Sequence, residues 1–304
     1  MPDLAVGARR WAVEPGSNLL DALNAAGFAV PYSCRAGSCH ACLVRCVEGE
    51  PLDINPTALN AQKREQGWRL ACQCRVENDL SVAVFDPARD GVPAEVIGCD
   101  WLEGDVLHLR LAPERPFRYQ AGQHLVLWAG GVARPYSLAS LPQDDPWLAF
   151  HIDCRYPGAF SDAARALQIG DPVQLGELRS GALHYDPDWQ TRPLWLLAAG
   201  TGLGPLWGIL REALRQEHQG PIRLVHCGVQ YWREPLEEMA RCHPPLQVEG
   251  FEAGEVPSMR LQSRQTMALL CGSPASVEMF SRQLYLAGLP RNQMLADVFV
   301  GRSV

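Results

Sequence analysis

Lysine is almost missing from this chain. Of the 27 Lys and Arg residues only Lys63 is a lysine, a bias of composition to which no function is attached. A positive balance is missing too. The net charge of −7 at pH 7 argues against nucleic acid and anionic lipid as main partners. No apolar run reaches the roughly 18 residues that a membrane span requires, and the stretch MPDLAVGARRWAVEPG holds no apolar core of a secretory signal. A cytoplasmic protein with no membrane partner is expected. An even set of cysteines is also absent. There are 11, which makes a disulfide framework the poorer expectation and metal or redox chemistry the better one. With 47 % apolar and 20 % charged residues over 304 positions, the chain is not disordered and suits two or three domains.

What is present begins with YSCRAGSCHAC. Cys34, Cys39 and Cys42 stand in the spacing C-x4-C-x2-C, and Cys72 follows in RLACQCRV. Four thiolates around two irons in this order are the plant-type 2Fe–2S spacing. Zinc sites more often draw on two C-x2-C pairs, and Cys74 is the rival for the fourth position. Ala36, Gly37 and Ser38 are small enough for backbone N–H groups to approach the cluster sulfides. The flanks agree: AVEPGSNLLDALNAAG reads as a turn and an amphipathic helix with Leu19, Leu20, Ala22 and Leu23 inward and Gly27 at its end. LSVAVF reads as a closing strand. Residues 1–87 therefore resemble a plant-type 2Fe–2S ferredoxin domain of β-grasp fold. Cys46, Cys74, Cys99, Cys154 and Cys242 fit no pattern and are expected to be small buried hydrophobes.

Asp86–Val96, with two prolines and four charges, reads as a linker. Short apolar–polar alternations such as DVLHLRLAP and GQHLVLWAG follow, an all-β pattern expected to form a small barrel. Within it lie RPYS, Arg134–Ser137, and PGAFSDAARAL, where Ser161 is the expected N-cap of a helix whose free N–H groups would attract a phosphate. Arg134 could add a charged contact and Tyr136 a flat face for a ring system. From Pro193 the pattern changes to strands alternating with helices, the mark of a parallel α/β sheet. After the buried strand LWLLAAG comes GTGLGPLWGIL, whose Gly200, Gly202 and Gly204 would let a pyrophosphate reach backbone N–H groups, with Pro205 in the first helical turn. It is not the G-x-G-x-x-G fingerprint, and alone it is a weak signal.

The order of these motifs resembles the ferredoxin–NAD(P)+ reductase superfamily over essentially the whole chain, in the form with an N-terminal ferredoxin domain that serves as the reductase component of bacterial multicomponent oxygenases. The resemblance implies a multidomain α+β and α/β protein: a β-grasp 2Fe–2S domain at 1–87, an antiparallel β-barrel FAD domain at 88–190 and a parallel α/β NAD(P) domain at 191–304. It places Arg134, Tyr136 and Ser137 on the flavin, Gly158 and Ser161 on its diphosphate, and Gly200, Thr201, Gly202, Gly204 and Pro205 on the nicotinamide nucleotide. Cys271 and Gly272, in CGSP, would lie beside the nicotinamide. Asp297 and Phe299, in ADVF, would lie near the flavin. Ser137, Cys271 and Asp297 are the catalytic candidates; Cys34, Cys39, Cys42 and Cys72 are the metal ligands.

The chain also departs from the family. Asp297 stands where the family usually has glutamate, and Gln230 where relatives often carry arginine. The segment between Gly250 and Cys271 is short. No cation lies among Cys227–Gln230 to meet a 2′-phosphate, and Arg233 is the one nearby candidate, so NADH is expected as donor and FAD as flavin. The expected function is an NADH-dependent oxidoreductase in which electrons pass from NADH through FAD and the 2Fe–2S cluster to a protein acceptor, an oxygenase component or similar. The alternatives are a reductase serving deoxysugar biosynthesis and a non-catalytic redox sensor or binding module.

Overall fold

The computed structural model describes residues 1–32, 34–255 and 257–300. The chain divides into two compact units, residues 1–91 with 133–135, and residues 92–132 with 136–304.

In the first unit eight strands form two sheets: β1 (Asp3–Val6), β2 (Arg9–Ala12), β3 (Ser17–Asn18), β4 (Leu43–Glu48), β5 (Leu52–Asp53), β6 (Trp68–Leu70), β7 (Cys74–Val76) and β8 (Leu80–Val84). Five of them make a mixed sheet in the order β2-β1-β8-β4-β6, with β1 parallel to β8. Helix α1 (Leu19–Ala25) buries Leu19, Leu20 and Leu23 on it. The helix starts where it does because the Asn18 side chain accepts from the Asp21 N–H, a cap worth roughly 1 kcal/mol. Gly27, at φ +88°, supplies the left-handed residue that ends it. A short helix, α2 (Ala61–Glu65), precedes β6. The β-grasp expectation is met in this unit.

The expected linker is structured. Asp86 caps a one-turn helix, α3 (Pro87–Asp90), and strand β9 (Val92–Leu102) begins inside the stretch read as a linker. Its alternate residues Val92, Ala94 and Val96 are buried, and that burial outweighs the turn-forming composition around them.

Strand β9 joins β10 (Val106–Pro113), β11 (His124–Ala129), β12 (Val132–Ser137), β13 (Leu148–Asp153) and β14 (Pro172–Arg179) in a curled antiparallel sheet ordered β12-β11-β14-β9-β10-β13. It closes over Leu107, Leu109, Leu125, Phe150 and their neighbours. Helix α4 (Ala159–Ala166) covers part of that core with Phe160 and Ala164. A parallel five-stranded sheet follows, from β15 (Leu194–Ala199), β16 (Ile222–Cys227), β17 (Leu246–Phe251), β18 (Met267–Gly272) and β19 (Met294–Val298), in the order β17-β16-β15-β18-β19. The helices α5 (Leu203–Arg215), α6 (Arg233–Cys242) and α7 (Pro274–Leu286) connect these strands. Its central strands β15 and β18 are buried nearly throughout, which is why they read as continuous apolar runs. The sheet thus presents the C-terminal ends of β15, β18 and β19 side by side, the edge at which α/β sheets take ligands.

Two smaller expectations need correction. Ser161 is not the N-cap of α4. Gly158 is, with its carbonyl accepting the Asp162 N–H at 2.8 Å. Of the five unassigned cysteines, Cys74 and Cys154 are buried, Cys46 and Cys99 are half-buried, and Cys242 is exposed at the end of α6.

Candidate functional site

Cys34, Cys39 and Cys42 lie on the loop between α1 and β4, and Cys72 on the 3₁₀ turn Ala71–Gln73 that joins β6 to β7. Folding brings the four thiols together as two pairs in hydrogen-bonding contact, Cys34 with Cys39 and Cys42 with Cys72. The Cys34 sulfur also accepts from the Ala36 N–H at 3.4 Å and the Cys39 N–H at 3.3 Å. Gln73 Nε2 donates to the Cys72 sulfur at 3.3 Å and to the Arg35 carbonyl at 2.9 Å, tying the turn to the loop. Donation from Cys39 is the main cause that holds the Cys34 thiol down at about 4. Donation from Cys42 holds Cys72 at about 7. Cys39 and Cys42, which give those protons, are pushed up by the same contacts and by burial.

Among the described residues no three His, Cys, Asp or Glu side chains converge as a single metal ion would require. Two pairs of thiols suit a different group, a cluster of two irons with two thiolates on each. The two thiol pairs therefore fit a 2Fe–2S cluster. Gly37 has a left-handed φ of +83°, which favours glycine, and a Cβ there would crowd Ala58 Cβ at 3.0 Å. The rival ligand, Cys74, is fully buried in the core of this unit, and desolvation raises its thiol.

Tyr136 and Ser137 end β12, and Gly158 opens α4. The two segments meet through the Tyr136 and Phe160 rings, whose centroids are 4.9 Å apart, a contact worth about 0.5–1.5 kcal/mol beyond its area. The Ser161 hydroxyl lies 2.9 Å from the Tyr156 carbonyl and 3.1 Å from the Gly158 carbonyl, with one proton to share between them. It braces the turn before the helix instead of capping it. Arg134 Nη1 donates to the Ala133 carbonyl at 2.9 Å.

The third element is the turn after β15. Gly200–Gly202 form one 3₁₀ turn that runs directly into α5, with Gly202 as its N-cap and Pro205 in the first helical turn. This turn is seated on the backbone of β18: a Cβ on Gly202 would stand 2.2 Å from the Cys271 carbonyl oxygen. Gly272, at φ +149°, is pressed against Ala199 in the same way, 2.7 Å from its Cβ. The Cys271 side chain is fully buried, and burial raises its thiol well above the ordinary range. In β19, Asp297 is the register partner of Cys271, and the Phe299 N–H donates to the Gly272 carbonyl at 2.8 Å. The Asp297 carboxylate accepts from the Ala182 N–H at 2.9 Å. Burial raises its pKa, against the opposing influence of that N–H and of His124.

Three residues beside this turn carry no motif in the sequence. Arg155, two residues past the end of β13, has a guanidinium held by the Asp153 carboxylate and placed 3.9 Å from where a Gly200 Cβ would stand. His226 Nε2 lies 3.1 Å from the Gly200 carbonyl. Gln230 folds inward, its Nε2 within 3.0 Å of the His226, Gly228 and Phe251 carbonyls. Only the last was visible beforehand, as an oddity of residue type.

Comparison with known proteins agrees with this geometry. Residues 7–77 match the family described as 2Fe-2S iron-sulfur cluster binding domain. The reductase component of the naphthalene 1,2-dioxygenase system of Pseudomonas putida, a ferredoxin–NAD(P)+ reductase, is 30 % identical over 93 % of this chain and 94 % of its own length. The reductase subunit of the aromatic O-demethylase of an Amycolatopsis species is 33 % identical over 90 % of this chain and 91 % of its own. The crystal structure of the Amycolatopsis cytochrome P450 reductase GcoB superposes over 100 % of both chains with a TM-score of 0.67 and 27 % identity.

Proposed function

The chain belongs to the family of ferredoxin–NAD(P)+ reductase components of oxygenase systems that carry an N-terminal 2Fe–2S domain, and we propose that it oxidises NADH and delivers the electrons singly to a partner oxygenase component. It is an oxidoreductase, and its cofactors are a 2Fe–2S cluster and FAD. FAD, when bound, supplies the conversion of a hydride pair into single electrons. No helix among the described residues is long and apolar enough to cross a membrane.

The observation that carries the reading is the interlock at the sheet edge. The Gly200–Gly202 turn rests on the Cys271–Gly272 backbone, and Asp297 stands beside Cys271. Residues distant in sequence thus meet at the ligand-binding edge of a parallel sheet. We assign the nicotinamide nucleotide to Gly200, Thr201, Gly202, Gly204 and Pro205, with backbone N–H groups at the start of α5 meeting its diphosphate. The flavin is assigned to Arg134, Tyr136 and Ser137 and its diphosphate to Gly158 and Ser161. Phe299 borders the ring, and Cys34, Cys39, Cys42 and Cys72 hold the irons. Because the Cys271 thiol is buried, its part is carried by the carbonyl that seats the glycine turn. The functional domains are read as 1–87, 88–190 and 191–304.

NADH is favoured over NADPH because Gln230 spends its amide on three carbonyls at the ends of β16 and β17. That leaves Arg233, exposed at the start of α6, as the candidate cation for a 2′-phosphate. The test is direct. Purified protein is expected to contain two irons and one FAD per chain, and kcat/KM is expected to be higher for NADH than for NADPH. Zinc in place of iron, or protein that binds no flavin, refutes the cofactor reading; a preference for NADPH refutes the assignment of the nucleotide rim.

A further inference from the structure

His226 is the penultimate residue of β16 and is 2 % exposed. A carbonyl oxygen can only accept, so the Nε2 that lies 3.1 Å from the Gly200 carbonyl carries the proton and donates it. Desolvation pushes the imidazole down to about 4, so the ring is neutral under working conditions and keeps a single tautomer against that carbonyl. Gly200 is the hinge of the nucleotide turn. It has a left-handed φ of +53° and is the residue where β15 ends and the turn begins.

The ring is braced by one further contact, and its backbone by another. Tyr231 packs edge-on against it at 5.2 Å between centroids. The Tyr231 hydroxyl lies 3.1 Å from Nδ1 of His151, on strand β13 of the curled sheet. Gln230 takes the His226 carbonyl at 3.0 Å. A side chain pinned this way cannot follow a drifting turn, so the turn must follow it.

We propose that His226 is the positioning residue of the nucleotide turn: its Nε2–H holds the Gly200 carbonyl, which also accepts the Leu203 N–H within the turn, and thereby sets where the remaining backbone N–H groups of the turn meet the diphosphate of NADH. This rests on the assignment of that turn to NADH. His226 does not touch the reacting atoms. Its effect is on binding, and it acts through the backbone of Gly200.

The experiment uses the full chain with its iron and flavin loaded. NAD+ binding is measured by titration calorimetry, and KM and kcat for NADH are measured with ferricyanide as acceptor. His226→Leu removes the donor at similar volume and is expected to weaken NAD+ binding and raise KM by about tenfold, with kcat within about twofold. His226→Gln keeps an N–H at comparable reach and is expected to restore NAD+ affinity to within about threefold of the parent. His226→Asn is one methylene short and is expected to stay with the leucine variant. Amide exchange at residues 200–204 should quicken in the asparagine variant and not in the glutamine one. If His226→Leu does not fold, the glutamine–asparagine comparison decides alone. Equal NAD+ affinity in the parent and the variants, a glutamine variant no better than the asparagine one, or a fall in kcat at constant KM overturns the proposal. A parent protein that binds no NAD+ overturns the assignment of the turn itself, which is a different result.

Discussion

Replacing Gly202 by alanine should damage the protein through one atom. The backbone there is helical, at φ −57° and ψ −15°, so alanine is conformationally acceptable and the obstacle is purely steric. The added Cβ would lie 2.2 Å from the Cys271 oxygen, 2.5 Å from its carbonyl carbon and 2.9 Å from the Gly272 nitrogen. All three are backbone atoms of a central strand, and none can swing aside as a side chain would. Relief requires the turn and β18 to part by roughly 1 Å, at a cost of about 1–3 kcal/mol as overpacking. The same separation moves the N–H groups assigned to the diphosphate. Gly204 supplies the internal control: a Cβ there meets only the His151 side chain, at 3.5 Å or more, which is ordinary contact. Urea unfolding of both variants should show a lowered midpoint for Gly202→Ala and a change within about 0.5 kcal/mol for Gly204→Ala. Calorimetric titration with NAD+ should show at least tenfold weaker binding for Gly202→Ala, as a 1.4 kcal/mol loss implies. If the two alanines behave alike in stability, the seating of the turn on β18 is wrong.

Cys39→Ser and Cys72→Ser should each lose the cluster, seen as lost iron and lost visible absorbance, because a hydroxyl is a poor iron ligand at neutral pH. Cytochrome c reduction should fall steeply in both, while ferricyanide reduction stays within about threefold, roughly 0.7 kcal/mol of barrier. Cys74→Ser should keep its iron; the opposite pattern between Cys72 and Cys74 would refute the pairing of Cys42 with Cys72. His226 should also leave a mark on acid stability. Its folded-state pKa lies below the ordinary value, 6.5 against about 4, so the unfolded chain takes up the proton first. The stability it contributes is complete above about 6.5 and is lost as pH falls toward 4. His226→Gln should flatten the fall in urea midpoint across that window, and an unchanged slope would count against a buried neutral ring.

The cluster was legible in the sequence because three of the four cysteines assigned to it fall within nine residues, where covalent spacing limits the geometry. The parallel sheet was legible for a related reason: β15 and β18 are buried on both faces and read as unbroken apolar runs. Ser161 was misread because serine is a favoured cap, whereas burial of Phe160 starts the helix earlier, at Ala159. The linker was misread because two prolines and four charges masked the alternation of Val92, Ala94 and Val96. Arg155 and His226 had no local signal at all. Each acquires its place beside Gly200 only when β13 or β16 is brought to the end of β15, and no spacing along the chain records that.

Asp297 is the remaining departure, since glutamate is usual at this place in the family, and the structure says what the shorter side chain accommodates. Its carboxylate already reaches the Ala182 N–H at 2.9 Å, so nothing is gained by another methylene. The space beyond is closed by backbone: a Cβ on Gly181 would stand 2.3 Å from Asp297 Oδ2. Asp297 and Gly181 are therefore matched, a short acid against a residue with no side chain. Asp297→Glu, although it restores the usual residue, should push the 181–182 segment outward and break the Ala182 contact, with a loss of about 1–3 kcal/mol. Asp297→Asn keeps the acceptor, removes a charge that burial disfavours, and should match or exceed the parent in urea midpoint. Asp297→Ala should lower turnover while FAD stays bound, because the assigned flavin contacts lie elsewhere. The measurements are urea midpoint, bound FAD and ferricyanide turnover for the three variants. A glutamate variant as stable as the parent, with faster turnover, would show that the carboxylate serves the reacting centre and that its contact with Ala182 is incidental.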